Sequence, residues 1–395
     1  MADSTFIKRV VLKNYRSIAS CDVRLGPLCF LVGPNGAGKS NFLDALGFIS
    51  DSLNTTLDKA SQDRGGIEDI IHRSAGASSN FSIELEFIFS GGVEARYDLG
   101  IGVNAQGGPK VQYEKLATLR TPLGNIHYQI RDGAIEQSSL HPSPPASDDR
   151  LYLVQASGWP VFREAFDLLK TMCFYNLNLD KLRDTQKRSL SEVLNHDGGN
   201  LTSILRRLQD QHPLILQRVE EYLATMVPGF GSVEVTKLGG KEVLEFKQKF
   251  DIEKPPWRFQ TEGISDGTLR ALGNLVAIFQ VGNGSAKHPS LVGIEEPETA
   301  LHPAAAGVLR DALRQASRHT QVLVTSHSPD LLDDDSIPDD QILAVVAEEG
   351  KTIIDRINDA GRSVLRDRLY TAGELLRLDQ LRPVQPKSSA ETKGA

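Results

Sequence analysis

The sequence predicts an α/β fold in which a phosphate-loop parallel sheet carries an antiparallel β subdomain and an inserted helical subdomain. Three observations lead there. The strand-like segment 21–32 (CDVRLGPLCFLV) ends directly in Gly33-Pro34-Asn35-Gly36-Ala37-Gly38-Lys39-Ser40, and NFLDALGFIS follows at helical spacing. Strand, glycine-rich turn and helix therefore stand in the order a phosphate loop requires. From Ile264 to about Val346 strands and helices alternate, as in a parallel sheet. Between these two regions lies a run of alternating strands and then a run of 3.6-period helices.

Taken in order, residues 6–12 (FIKRVVL) and 21–32 are rich in β-branched and aromatic residues and read as strands. Residues 51–80 are polar and rich in Gly, Ser and Asp, which predicts a surface insertion. FSIELEFIF (81–89) alternates almost strictly, and ARYDLGIGV, KVQYEKLATL and NIHYQIRDG continue the pattern as an antiparallel meander. Residues 138–150 are a loop by their Pro and Ser content. WPVFREAFDLLKTM, SLSEVLN (189–195) and residues 200–227 have helical periodicity. A hairpin spans 233–250 with Gly239-Gly240 at its turn. The final RPVQPKSSAETKGA has little to bury and is expected to be disordered. The expected organisation is one domain over 1–381: a nucleotide-binding core from 1–50 and 255–350, the insertion and meander at 51–137, the helical subdomain and hairpin at 151–254, and the tail 382–395.

Composition excludes several classes. The chain has 395 residues, 40% hydrophobic and 24% charged, close to an ordinary globular protein. The stretch from Leu269 to Val281 is too short and interrupted to span a bilayer. The opening MADSTFIKRV lacks an apolar core after its charges, so no secretory signal is expected. Cys21, Cys29 and Cys173 have neither disulfide-framework nor metal-ligand spacing, and a cytoplasmic location without membrane contact is expected. A net charge of −7 argues against a basic nucleic-acid coat, although a local patch could still bind DNA. The candidate basic segments are 179–188 and 361–370; both mix acids with bases, which favours a solvated helix face.

Four motifs carry the chemistry. In the glycine-rich loop, close backbone approach lets N–H groups surround a phosphate. Lys39 would reach the outer phosphates, and the Ser40 hydroxyl would ligate Mg²⁺. Residues 291–298 (LVGIEEPE) are an apolar strand ending in carboxylates. Glu295 would hold the metal and Glu296 would activate water. Residues 263–270 (GISDGTLR) place Ser265 and Gly267 at a helix start, where a hydroxyl and free amides can meet an anion. Residues 322–329 (VLVTSHSP) bring His327 to another strand end. The gaps fit one helix plus one strand each, so all four motifs fall where parallel sheets bind ligands.

In this order, GPNGAGKS, ISDGTLR, IEEPETALHP and TSHSP resemble the ABC-type ATPases of the SMC/RecF/OLD superfamily, and most closely the short AAA-type ATPases found beside OLD nucleases. The opening Asn14-Tyr15-Arg16-Ser17 also resembles that family's N-terminal motif. The resemblance covers about 1–50 and 255–335. It implies an ABC-ATPase head that binds ATP and Mg²⁺ through Asn35, Gly36, Ala37, Gly38, Lys39, Ser40 and Asn41, with Arg16 near the nucleotide. It further implies Ser40 and Glu295 at the metal, and Glu296, His327 and Lys39 in catalysis. Ser265 and Gly267 would be the signature and Pro297 to Leu301 the D-loop. Two copies would enclose ATP as a homodimer. The sequence departs from the family in Glu295 where most members have Asp, in ISDGT for LSGGQ, and in His302 where many relatives have Asp. Gln155 is the leading Q-loop candidate, with Gln62 and Gln112 behind it. The acids in 336–381 are too few for a Toprim nuclease domain, so a separately encoded effector such as a nuclease is the expected partner, with DNA also possible. The resemblance implies anti-phage defence or DNA repair. The competing reading is a slow ATP-gated scaffold that holds an effector inactive. A nucleotide kinase is disfavoured because the signature and histidine motifs have no part in it.

Overall fold

A computed structural model describes residues 6–72, 79–89, 91–119, 125–139, 141–184, 191–238, 240–248, 255–281 and 288–384. A six-stranded sheet runs in the order Lys351–Arg356, Ile342–Glu348, Leu28–Val32, Gln321–Ser326, Leu291–Glu295 and Cys173–Tyr175. The last five are mutually parallel, and the first is the return strand of a hairpin. Leu28–Val32 and Gln321–Ser326 are buried at every position. That explains the continuous apolar sequence of Leu28–Val32 and the apolar Val322–Val324, since a sheet covered on both faces has no solvent side.

Side-chain alternation along these strands divides the core. Cys29 and Leu31 join a cluster containing helix Lys39–Asn54 and the antiparallel sheet. Leu28, Phe30 and Val32 join another containing helices Asp266–Phe279 and Pro303–Ala316. The period of two thus sends one strand's residues into both cores.

The antiparallel sheet has seven strands, in the order Ile18–Arg24, Phe6–Tyr15, Asn80–Ile88, Glu94–Val103, Pro109–Leu119, His127–Arg131 and Ala134–Ser138. Phe6–Tyr15, the first described strand, therefore lies in this sheet, outside the parallel one. Its alternating burial suits a sheet with one solvated face. Glu114, fully buried here, accepts hydrogen bonds from Tyr128 Oη (2.7 Å), Tyr97 Oη (3.2 Å) and the backbone amides of Tyr152 (2.5 Å) and Leu153 (2.9 Å). Burial pushes its carboxyl pKa up, against the pull of these four donors. Glu114→Gln would set an amide N–H₂ against those donors and is expected to cost about 2–4 kcal/mol of stability, measured by chemical denaturation.

Several segments differ from the sequence expectation. In the polar stretch 51–80, helix Lys39–Asn54 continues and helices Leu57–Gln62 and Ile67–Ile70 follow, burying Leu53, Leu57, Ala60, Ile67 and Ile70 among the polar residues. Cys173–Tyr175 edges the central sheet, although 151–254 reads as helical and hairpin. Ser191–Asn195, expected to be helical, is not. Its backbone donors are captured by side-chain amides: Leu194 N by Gln280 Oε1 (2.8 Å) and Asn195 N by Asn200 Oδ1 (2.7 Å). Residues 189–190 lie outside the described residues. The expected hairpin pairs Phe230–Leu238 with Lys241–Gln248 and gains a third strand, Trp257–Gln260; its Gly239 lies outside the described residues. Of the tail expected to be disordered, Arg382–Val384 are tied in by Asn358 N to Arg382 O and Val384 N to Arg356 O, each 2.9 Å; residues 385–395 lie outside the described residues.

After the hairpin, helices Asp359–Arg366 and Ala372–Arg377 fold back on the segment following His327. Arg377 donates to Asp330 and Asp333, both at 2.9 Å, and Thr371 Oγ1 donates to Asp333 at 2.7 Å. A Cβ on Gly373 would lie 2.4 Å from the Pro329 carbonyl oxygen, so the helix sits directly on that turn. Among the described residues, no helix is long and apolar enough to cross a membrane.

Candidate functional site

Helix Lys39–Asn54 begins without a side-chain cap and without an acid in its first turn. Its N-terminal amides and dipole therefore face the loop with no competing carboxylate of their own. Gly36 and Gly38 have φ of 77° and 97°, conformations that L side chains rarely adopt. The Lys39 ammonium is buried and donates to the carbonyls of Gly33 (2.8 Å) and Pro34 (3.0 Å). Burial pushes its pKa down, against the pull of Glu296, Glu298 and Glu295.

Strand pairing brings the acids to this loop. Leu291–Glu295 and Gln321–Ser326 lie side by side with Glu295 opposite Thr325. The Ser40 hydroxyl donates to Glu295 Oε2 at 2.5 Å. The hydroxyl and the carboxylate are hard oxygen donors of the kind Mg²⁺ takes, here joined to each other by a hydrogen bond. Glu296 then turns out of the strand with φ 44°, its amide bonded to the Thr325 carbonyl at 3.0 Å. A positive φ in a non-glycine residue is strain of the sort that clusters at active sites. His327 Nδ1 lies 3.1 Å from Glu296 Oε1. The structure thus assembles Lys39, Ser40, Glu295, Glu296 and His327.

Ser265 and Gly267 are not joined to that cluster by any hydrogen bond or ion pair among the described residues. Ser265 caps helix Asp266–Phe279 and accepts from Thr268 N at 3.2 Å. A Cβ on Gly267 would lie 2.3 Å from the Ala300 carbonyl oxygen, so the candidate signature packs on the candidate D-loop of its own chain.

A family model described as "AAA domain, putative AbiEii toxin, Type IV TA system" matches residues 28–333. The chain belongs to this AAA-domain family. It is an ABC-type ATPase of the SMC/RecF/OLD superfamily, with an SMC-head-like fold. It is 23% identical to an OLD nuclease from Thermus scotoductus, over 89% of this chain and 66% of that protein. It is 35% identical to the DNA replication and repair protein RecF of Allorhizobium ampelinum, over 26% of this chain and 24% of that protein. The chain therefore spans just under two thirds of the first relative and about a quarter of the second. Among solved structures, an SMC head bound to the C-winged helix domain of ScpA aligns with TM-score 0.53 and 15% identity, over 90% of this chain and 99% of that one. A Pyrococcus furiosus Smc head bound to the C-terminal domain of ScpA aligns with TM-score 0.52 and 13% identity, over 92% and 99%.

In this ATPase, the remaining candidates fall in varied places. Arg16 adopts φ 48°, and its Nε lies 2.8 Å from Asp44 Oδ2 as an ion pair without hydrogen-bond alignment. Asp44 also receives Tyr15 Oη (2.8 Å) and Arg64 Nε (2.7 Å), so Arg16 is held at a hub on the first helix. Asn41 directs its amide to Ser17 Oγ at 2.6 Å. His302 caps helix Pro303–Ala316, accepting from Ala304 N at 3.2 Å. Gln62 donates to Asp58 and Gln112 accepts from Asn80, so both are engaged locally. Gln155 Oε1 is buried without a hydrogen-bond partner among the described residues.

Sequence reading missed three contributors. Glu298 is buried and accepts from Ser326 Oγ at 2.6 Å, linking the D-loop to the strand that carries His327. Burial pushes its pKa up. Asn274 Nδ2 donates to the Pro297 carbonyl at 2.9 Å, tying helix Asp266–Phe279 to the same turn. Arg183 donates to the carbonyls of Thr261 (2.7 Å) and Ile264 (2.9 Å) and to Asp266 (2.6 Å), fixing the approach to the signature. The candidate DNA-contact segment 179–188 is therefore partly committed inward; its residues 185–190 lie outside the described residues. In 361–370, Arg362 and Arg366 pair with Asp339 at 2.8 and 3.0 Å, and Arg368 lies 3.8 Å from Asp335. That segment is a charge-balanced face.

Proposed function

We propose that this ATPase hydrolyses ATP at a site shared by two copies of the chain, and that nucleotide state governs a separately encoded partner such as a nuclease, or DNA, in phage defence or DNA repair. The observation that carries the hydrolytic reading is the joining of Ser40 to Glu295 and of Glu296 to His327 beside the buried Lys39 ammonium. Ser40 and Glu295 would hold Mg²⁺, which supplies charge neutralisation on the phosphates when bound. The loop amides and Lys39 bind and orient the phosphates. Glu296 accepts the proton of the attacking water. With Nδ1 against Glu296, His327 holds the carboxylate that takes this proton, a part additional to the phosphate hydrogen bond implied by the resemblance. The role in defence or repair is favoured by the OLD nuclease and RecF relatives.

The shared-site reading is favoured by the separation of Ser265 and Gly267 from the Lys39 cluster of their own chain, to which no hydrogen bond or ion pair joins them among the described residues, and by the resemblance, which implies that they face the phosphates held by a second copy. ATP offers its γ-phosphate to both chains and ADP does not, so ATP favours association by that difference in contacts. Ser265→Arg is expected to leave single-chain ATP binding intact while abolishing hydrolysis and ATP-induced association. Sedimentation of Glu296→Gln with ATP or ADP, with and without Ser265→Arg, measures this, together with crosslinking across the Ser265–Lys39 seam. An undiminished ATP-dependent seam crosslink in Ser265→Arg would sink the shared-site model.

A further inference from the structure

Two points of the phosphate loop and its helix start are joined by a hydrogen-bond relay that the roles above do not use. Asn41 Nδ2 donates to Ser17 Oγ at 2.6 Å; Ser17 Oγ and Thr352 Oγ1 lie 2.7 Å apart; Thr352 Oγ1 donates to the Ala37 carbonyl at 2.8 Å. The ends fix the direction, because an amide N–H₂ only donates and a carbonyl only accepts. Both hydroxyl protons therefore point one way, from Asn41 through Ser17 and Thr352 to Ala37. Bonds aligned in series polarise one another, and burial strengthens them. Thr352 is only 3% exposed. Its amide also donates to the Ser17 carbonyl at 2.8 Å, so backbone and side chain hold the same pair.

The fit around the relay is close. A Cβ on Gly38 would lie 2.0 Å from Thr352 Oγ1 and 2.9 Å from Ser17 Oγ. A Cβ on Gly33 would lie 1.9 Å from the Val345 carbonyl oxygen, on the other strand of the hairpin that carries Thr352. Two loop glycines are thus needed for contact with the hairpin, one of them for its φ as well. A loop that surrounds an anion must turn amides inward and carbonyls outward. Thr352 takes up the Ala37 carbonyl, and Lys39 takes up those of Gly33 and Pro34.

We propose that Thr352 and Ser17 are positioning residues that hold the phosphate loop in its anion-accepting shape, so that the hairpin Ile342–Glu348/Lys351–Arg356 sets nucleotide affinity. Preorganisation of this kind removes ordering cost from binding. The inference rests on the nucleotide-site reading above, and the test separates the two. Binding of ATPγS with Mg²⁺ is measured by calorimetry on the full chain for the parent, Thr352→Val, Thr352→Ser and Lys39→Ala. Valine keeps the branched shape and loses the hydroxyl, so Thr352→Val is expected to weaken binding about tenfold. Thr352→Ser should restore it to within about twofold, and the Thr352→Val defect should fall on KM, with kcat at saturating ATP nearly unchanged. Parent-like affinity in folded Thr352→Val, or equal weakness in the serine and valine variants, overturns the proposal. Should Thr352→Val fail to fold, Ser17→Ala is judged by the same tenfold loss. A parent that binds no nucleotide, or a Lys39→Ala chain that binds as the parent does, overturns the site reading itself.

Discussion

Glu296→Gln is expected to lower steady-state ATP hydrolysis by about two to four orders of magnitude while leaving ATP binding close to that of the parent. The substitution is nearly isosteric and removes the carboxylate's charge together with its capacity to accept a proton. Glu296 is placed by its backbone: the amide bond to the Thr325 carbonyl and the φ of 44° aim the side chain whatever its head group. His327 can still donate from Nδ1 to the glutamine carbonyl oxygen, so the geometry beside the loop should survive. Phosphate release and equilibrium binding, measured on the same preparation, check the split. Equal turnover in the variant and the parent would remove Glu296 from the role of base.

Lys39→Ala is expected to act one step earlier. A charge-assisted hydrogen bond to phosphate contributes about 1.5–3 kcal/mol, so ATP affinity should fall by about tenfold to a hundredfold or more. The loss should be largest for ATP and smaller for nucleotides with fewer phosphates. Stability should change little, because Lys39 in the free chain only bridges two loop carbonyls and carries the cost of a buried ammonium. Parallel ATP and ADP titrations with a thermal melt check this. Undiminished ATP affinity would show that Lys39 does not reach the phosphates.

The candidate cluster was legible because each part is a short contiguous segment at a strand end or helix start. Gly33 to Ser40, Glu295-Glu296 and His327 need only the parallel register to meet, and alternating elements already imply that register. Ser265 was legible as a cap for the same local reason. Glu298, Arg183, Asn274 and Thr352 were not, since each gains its part from a partner 23 to 315 positions away. A buried acid and an exposed acid look alike in a sequence. The strand Phe6–Tyr15 illustrates the limit for the fold: its residues announce a strand, but not which sheet receives it. Ser191–Asn195 illustrates the converse, where helical spacing lost to side-chain amides from Asn200 and Gln280.

The contact of helix Ala372–Arg377 with the turn after His327 has a mechanical meaning. Arg377 and Thr371 grip Asp330 and Asp333, and Gly373 rests on Pro329, two residues beyond the histidine. This makes the helix a short lever whose fulcrum is that turn. A load applied to this helix would act on Asp330, Asp333 and Pro329, the turn that follows the histidine proposed to hold Glu296. Tension on Asp330 and Asp333 would shift the histidine strand without touching the nucleotide, and slack would leave it free.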